Sequence, residues 1–112
     1  MNIDFSTIPE TLVENPRGGQ GTFGIRDFKT PDNRVFLGRL LPGSGFGMHA
    51  HTSNSETMFF LSGVGRVVTE EGEEKVFPGA VHHSPRGASH CLINEGAEDL
   101  VFYGVIPEHG VK

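Results

Sequence analysis

The chain is poor in cysteine, in clustered positive charge and in long apolar runs. A single cysteine, Cys91, excludes a disulfide within the chain and fits a reducing compartment. With 14 acidic residues against 9 lysines and arginines the formal charge is -5, and no basic run offsets it. Neither nucleic acid nor an anionic membrane surface is therefore an expected partner. No apolar segment approaches the roughly 20 residues needed to cross a bilayer. The segment Met1-Asn2-Ile3-Asp4-Phe5 also lacks the basic and apolar regions of a signal peptide, so the expected location is the cytoplasm.

What the chain has in quantity is turn formers. Sixteen glycines and 7 prolines in 112 residues suit many short strands joined by tight turns, and the length suits one domain with one core. The expectation is an all-β domain spanning 1–112. Residues 1–20 form a mostly polar lead-in, with a short helical turn expected near Pro9 to Val13. Strands are expected at Thr22–Phe28, Val35–Leu41, Met48–Thr52, Glu56–Ser62, Gly65–Glu70, Glu73–Phe77, Val81–Ser84, His90–Asn94 and Leu100–Ile106. The acidic group around Gly72 reads as a solvated hairpin tip, and His109, in a terminal Pro-Glu-His-Gly turn, as surface.

One cluster carries chemistry. His49 and His51 are separated by one residue, so an extended backbone projects both rings from one face. The polar segment Thr52-Ser53-Asn54-Ser55 reads as a hairpin loop returning the chain to Glu56, and His90 arrives later, after Pro85-Arg86-Gly87. Three imidazoles and a carboxylate suit one divalent transition metal per chain: Zn, Fe, Mn, Ni or Co. Four protein ligands leave up to two octahedral positions for water or substrate.

The spacings resemble those of the cupin family. Gly43, His49, His51, Glu56 and Gly63 satisfy its first motif, G(X)5HXH(X)3-4E(X)6G, over residues 43–63. Gly79, Pro85, Gly87, His90 and Asn94 satisfy its second, G(X)5PXG(X)2H(X)3N, over residues 79–94. The resemblance implies a jelly-roll barrel, or double-stranded β-helix, with His49, His51, Glu56 and His90 holding a metal inside it. The family spans oxygenases, decarboxylases, isomerases, lyases, regulators and storage proteins, so the fold alone fixes no reaction.

Alternation from Glu56 places Met58 and Phe60 beside the metal as an apolar pocket wall. An acid or base would have to come from His82 or His83, of which only one can face inward. Counting back from Pro85, as cupin strands usually run, favours His82. Arg39, in an otherwise apolar strand, would clamp a carboxylate or phosphate if it faced in and would be a surface charge if it faced out. Cys91 should point away from the metal, and Asn94 should bond backbone near its strand end.

Both faces of Leu100–Ile106 are apolar, as is the face of Phe59 and Leu61. Each needs a cover, either the N-terminal segment or a second copy, so a homodimer is expected. Two functional readings follow. One is a metal-dependent isomerase, lyase, decarboxylase or oxygenase acting on a small sugar derivative, keto acid or dicarboxylate. The other is a non-enzymatic module that binds or senses a small molecule.

Overall fold

The computed structural model describes residues 1–108, so the reading of His109 lies outside the described residues. Ten strands run antiparallel to their partners: β1 (Thr11–Glu14), β2 (Thr22–Lys29), β3 (Asn33–Leu40), β4 (His49–Ala50), β5 (Glu56–Ser62), β6 (Gly65–Thr69), β7 (Gly72–Val76), β8 (Val81–Ser84), β9 (Ser89–Asn94) and β10 (Leu100–Pro107). One sheet orders six of them as β1-β2-β3-β10-β5-β8, and the other orders four as β4-β9-β6-β7. From β3 onward the chain passes repeatedly between the sheets, staying in one only for the β6–β7 hairpin. This is the jelly-roll arrangement. No helix among the described residues is long and apolar enough to cross a membrane.

Period-two burial sets the interior. The inward series Phe36, Gly38, Leu40 on β3 and Leu100, Phe102, Gly104, Ile106 on β10 is buried, and so is Glu56, Met58, Phe60 on β5. The Phe102 ring stands 6.0 Å from Phe23, 5.9 Å from Phe36 and 5.4 Å from Phe60. Each buried aromatic or aliphatic side chain contributes about 1.5–3 kcal/mol. Gly104 makes room for this cluster: a Cβ there would lie 2.1 Å from the Phe36 ring. Asn94 closes the far end of the barrel, donating to the carbonyls of Leu40 and Glu98 at 2.8 Å and accepting from Gly96 N–H at 2.8 Å. Its structural role is as expected.

Two local expectations are corrected. Residues Thr11–Glu14 form β1 against β2, not a helical turn; the short 3₁₀ turns lie on either side, at Phe5–Thr7 and Pro16–Gly18. Thr52–Ser55 is not a hairpin loop, because β4 pairs with β9 while β5 pairs with β10 and β8. The polar segment crosses from one sheet to the other. Turn-forming residues signal a change of direction but not which strand is met afterwards.

On the outer face of the larger sheet, Val81, Phe59, Tyr103, Leu37 and Arg26 stand in register across five strands. The N-terminal segment covers one side of this row. The Phe5 ring lies 5.7 Å from Tyr103, and Arg26 donates to the Ile8 carbonyl at 2.5 Å. Phe59, Leu61 and Val81 on the other side remain exposed.

Candidate metal centre

The switch between sheets is what builds the site. His49 and His90 are direct cross-strand partners on the smaller sheet, with ring centroids 4.8 Å apart. His51 lies just past the end of β4, keeps the alternation, and stands 5.2 Å from His49 and 5.3 Å from His90. Glu56 opens β5 on the facing sheet. The ligating atoms of the four side chains all lie within 4.8 Å of one another, and His51, Glu56 and His90 are buried.

Hydrogen bonds on the far side of two rings fix which nitrogen faces the centre. His49 Nδ1 donates to the Gly47 carbonyl at 2.8 Å, leaving Nε2 free to face inward. His51 Nδ1 donates to Asn54 Oδ1 at 2.8 Å, and Asn54 is itself oriented because its Nδ2 donates to Glu108 at 3.1 Å. The Nε2 atoms of His51 and His90 each lie 3.1 Å from the same Glu56 oxygen. In a neutral His51 ring with its proton on Nδ1, Nε2 bears a lone pair, and a lone pair facing a carboxylate at that distance requires a positive charge between them. A proton can supply that charge, and so can a metal ion. The donor set therefore fits a divalent metal, and the four residues could hold one.

The titration of the metal-free cluster follows from the same geometry. Burial drives the Glu56 carboxyl up, but hydrogen bonds from His51 and His90 outweigh it and hold the group down at about 2. The bond to Glu56 raises His51 against the opposing effect of burial. His49 is lowered, by burial first; the Gly47 carbonyl opposes this, and the charges of His90, Arg17 and His51 add to it. These imidazoles and their carboxylate compete for protons and metal alike.

A cavity of about 190 Å³ opens on the cluster, walled by Phe23, Phe36, Phe46, Met58, Leu92 and Phe102, with Arg17 and Arg34 also in its lining. It has room for a ligand of a few heavy atoms against a mostly apolar wall. Met58 stands where the alternation puts it. Phe60 does not: it is 3% exposed and packs on Phe102 deeper in the core, outside the cavity lining. Alternation puts both residues on one face but does not say how far along the barrel the cavity extends.

Of the adjacent pair, His82 is buried and His83 is exposed, bonding Thr57 Oγ1 at 2.9 Å. His82 sits behind His90, with ring centroids 5.7 Å apart, and outside the cavity lining. Its Nδ1 meets the Glu74 carboxylate at 3.1 Å. Its Nε2, the Nδ1 of His90 and the Ser84 hydroxyl are buried without a hydrogen-bond partner among the described residues. Arg39 is on the outer face, where it pairs with Glu10 at 2.7 Å and Asp99 at 3.0 Å. The apolar outward neighbours Val35 and Leu37 gave no sign of that pairing, because both carboxylates come from distant segments. Of the two orientations open to Arg39, the outward one holds, and it does not clamp a ligand at this site.

Four residues near the site escaped the sequence reading: Arg17, Arg34, Phe46 and Asn54. Arg34 lies on the inward face of β3, paired with Asp27 at 2.9 Å, with its guanidinium 5.7 Å from the centre of the Phe36 ring. Arg17 rides on a strained turn, with φ 54 and ψ 31 in the left-handed region, two residues after Asn15 at φ 51. Non-glycine residues adopt that conformation rarely, at a cost of order 1–3 kcal/mol each where they persist. The cluster Asn15-Pro16-Arg17-Gly18-Gly19 signals a turn, but nothing in it says that the turn docks beside His49.

Comparison with known proteins places this geometry in a family. Residues 36–106 match the model of the Cupin domain. The chain is 31% identical over 113 aligned residues to an oxalate-binding protein of Thermotoga maritima, covering 95% of this chain and 93% of that one. The crystal structure of a predicted oxalate decarboxylase from the same organism superposes with a TM-score of 0.90 at 28% identity, over 96% of this chain and 99% of the other. The polyketide cyclase RemF from Streptomyces resistomycificus shares the fold, with a TM-score of 0.80 at 18% identity over 100% of this chain and 87% of its own.

Proposed function

The chain belongs to the cupin family, and from that premise we propose that it is a metal-dependent enzyme whose ligand is a small dicarboxylate such as oxalate. The observation that carries this reading is the convergence of the His51 and His90 Nε2 atoms on one Glu56 oxygen, with the His51 proton committed to Asn54. A bound divalent metal would act as a Lewis acid on a carboxylate or carbonyl oxygen. The chain's own residues would orient the ligand and exclude water through the apolar wall of Met58, Phe46 and Phe102. The Thermotoga maritima relatives, one named for oxalate binding and one for predicted oxalate decarboxylation, support oxalate as the first ligand to try.

The position of His82 bears on the reaction. Among the described residues, the titratable groups of the cavity wall are the four cluster residues, Arg17 and Arg34. His82 stands behind His90 and outside the cavity lining, so isomerase or lyase chemistry that needs a free acid or base in the pocket is disfavoured. Decarboxylase or oxygenase chemistry centred on the metal fits better. The same observation favours a second reading, a non-enzymatic binding or sensing module. The exposed Phe59, Leu61 and Val81 support a homodimer packed through the larger sheet, and the lone Cys91 suits a cytoplasmic setting.

One preparation tests these readings. Protein purified without a histidine tag should carry about one transition metal per chain by elemental mass spectrometry. His90→Ala should lose most of it. Oxalate should bind by calorimetry and be turned over, and light scattering should give the dimer mass. Binding without turnover would establish the second reading. No metal after reconstitution would overturn the metal-dependent enzyme and leave the binding module as the better account, and a monomer mass at micromolar concentration would overturn the dimer.

A further inference from the structure

The arginines of this chain divide into committed and free. Arg26 is tied to main-chain carbonyls, Arg34 to Asp27, Arg39 to Glu10 and Asp99, and Arg66 to Glu73 and Glu95. Arg17 and Arg86 have no ion pair or side-chain hydrogen bond among the described residues; Arg86 is exposed in the turn before β9 and outside the cavity lining, which leaves Arg17 as the free arginine at the site. It is nonetheless not a stray surface charge. It lines both the metal-site cavity and a neighbouring groove that shares Arg17, Arg34, His51 and Ile106 with it and also holds Lys29. Glu108, also in that groove, accepts from Asn54.

The backbone that presents Arg17 is clamped in place. Gly47 N–H donates to the Pro16 carbonyl at 3.1 Å, and a Cβ on Gly47 would come within 2.2 Å of the Arg17 carbonyl. The turn is thereby locked to the residue whose own carbonyl orients His49. A left-handed arginine fixed this way is held at a defined place at the mouth of the site.

Charge balance says what it is held for. A divalent metal with three neutral imidazoles and the Glu56 carboxylate keeps one net positive charge. A monoanionic ligand cancels that charge unaided, and a neutral sugar needs no further partner. A dianion exceeds it by one, and in a mostly apolar cavity the excess has to be met nearby. Resting on the metal-dependent dicarboxylate reading above, we propose that Arg17 is a specificity-determining residue that selects dianionic over monoanionic ligands by meeting the carboxylate end exposed at the cavity mouth. Its planar fork of donors suits a carboxylate pair.

Calorimetry on metal-loaded protein tests this, with oxalate as the dianion and oxamate as its monoanionic analogue of the same size. Arg17→Gln should weaken oxalate binding by about tenfold to a hundredfold while leaving oxamate within about threefold. Arg17→Lys, which keeps charge but not the fork, should fall between, and Arg39→Gln should match wild type. Metal content is measured on each sample, so a variant that fails to load is recognised as such, and Arg17→Lys then stands in for Arg17→Gln. Wild-type oxalate affinity in the Arg17 variants, or equal losses for both ligands, would overturn the proposal and leave the dicarboxylate reading standing. Loaded wild type that binds neither ligand would overturn that reading and this one together.

Discussion

The two ends of the barrel interior are made by the same strands and behave as different materials. Along β5 the inward series runs from Glu56 through Met58 to Phe60, and along β9 from His90 through Leu92 to Asn94. At the closed end the aromatic rings interlock and the buried polar side chains are bonded: Asn94 makes three hydrogen bonds at 2.8 Å, and the Ser44 hydroxyl accepts from Thr22 N–H at 2.9 Å. At the open end a carboxylate and three imidazoles crowd together. His90 Nδ1, His82 Nε2 and the Ser84 hydroxyl are buried without hydrogen-bond partners among the described residues, and the backbone turns left-handed at Arg17. Satisfied polar groups and dense packing stabilise the fold, whereas unmet polar groups and strain persist where a ligand is to be met. The closed end supplies the stability that the open end draws on.

The largest expected effect breaks this comparison at the closed end. Phe60→Ala removes a ring that is 3% exposed and packed on Phe102, and should cost about 3–5 kcal/mol. The thermal midpoint should fall by roughly 15 °C or more, while metal content per folded chain stays at the wild-type level. Because alternation alone makes Phe60 a pocket residue, the outcome also decides between the two placements. Loss of metal binding with little loss of stability would return Phe60 to the site.

A smaller effect lies at the open end and depends on pH. In metal-free protein His51 is raised by its bond to Glu56, so its stabilisation is complete below its ordinary value of 6.5 and is lost as pH rises through the higher folded value. Glu56, held at about 2, contributes above its ordinary 4.5 and loses that contribution only as pH falls toward 2. His49, lowered by burial, acts in the opposite sense to His51 near neutrality, because protonating it in the folded state is unfavourable. Metal-free His49→Asn removes that opposition. Its thermal midpoint should therefore fall from about pH 5 to about pH 8, more steeply than that of metal-free wild type. A flat profile would show that the His51–Glu56 contact does not carry a proton. Metal affinity of the wild type should move the other way and rise with pH, since the ion needs bare nitrogens.

The same division explains what could be read in the sequence. Strand positions followed from alternation and turn formers, and the four cluster residues from spacing, because those signals are local or are fixed by the two motifs. Pairing partners were not legible. His49 and His51 were placed on one face correctly, but the segment Thr52–Ser55 looks the same whether it closes a hairpin or crosses between sheets. The orientation of Arg39 stays open in the sequence for a related reason: the carboxylates of Glu10 and Asp99 that neutralise it lie 29 and 60 positions away. Arg17 was missed because its place at the site depends on a close backbone approach to Gly47, which no period or motif records.

The smallest expected effect on stability is also the sharpest test of how the two ends divide their work. Arg17→Asn removes the guanidinium and puts at φ 54 a side chain that tolerates left-handed backbone better than arginine does. Stability should be unchanged or improved by about 0.5 kcal/mol, a gain of a few degrees at most, while oxalate affinity falls as in Arg17→Gln. A core residue never shows that combination, since its loss lowers stability first. If Arg17→Asn instead destabilised the protein like a core substitution, the turn would belong to the closed end in function as well as packing, and its strain would need another cause.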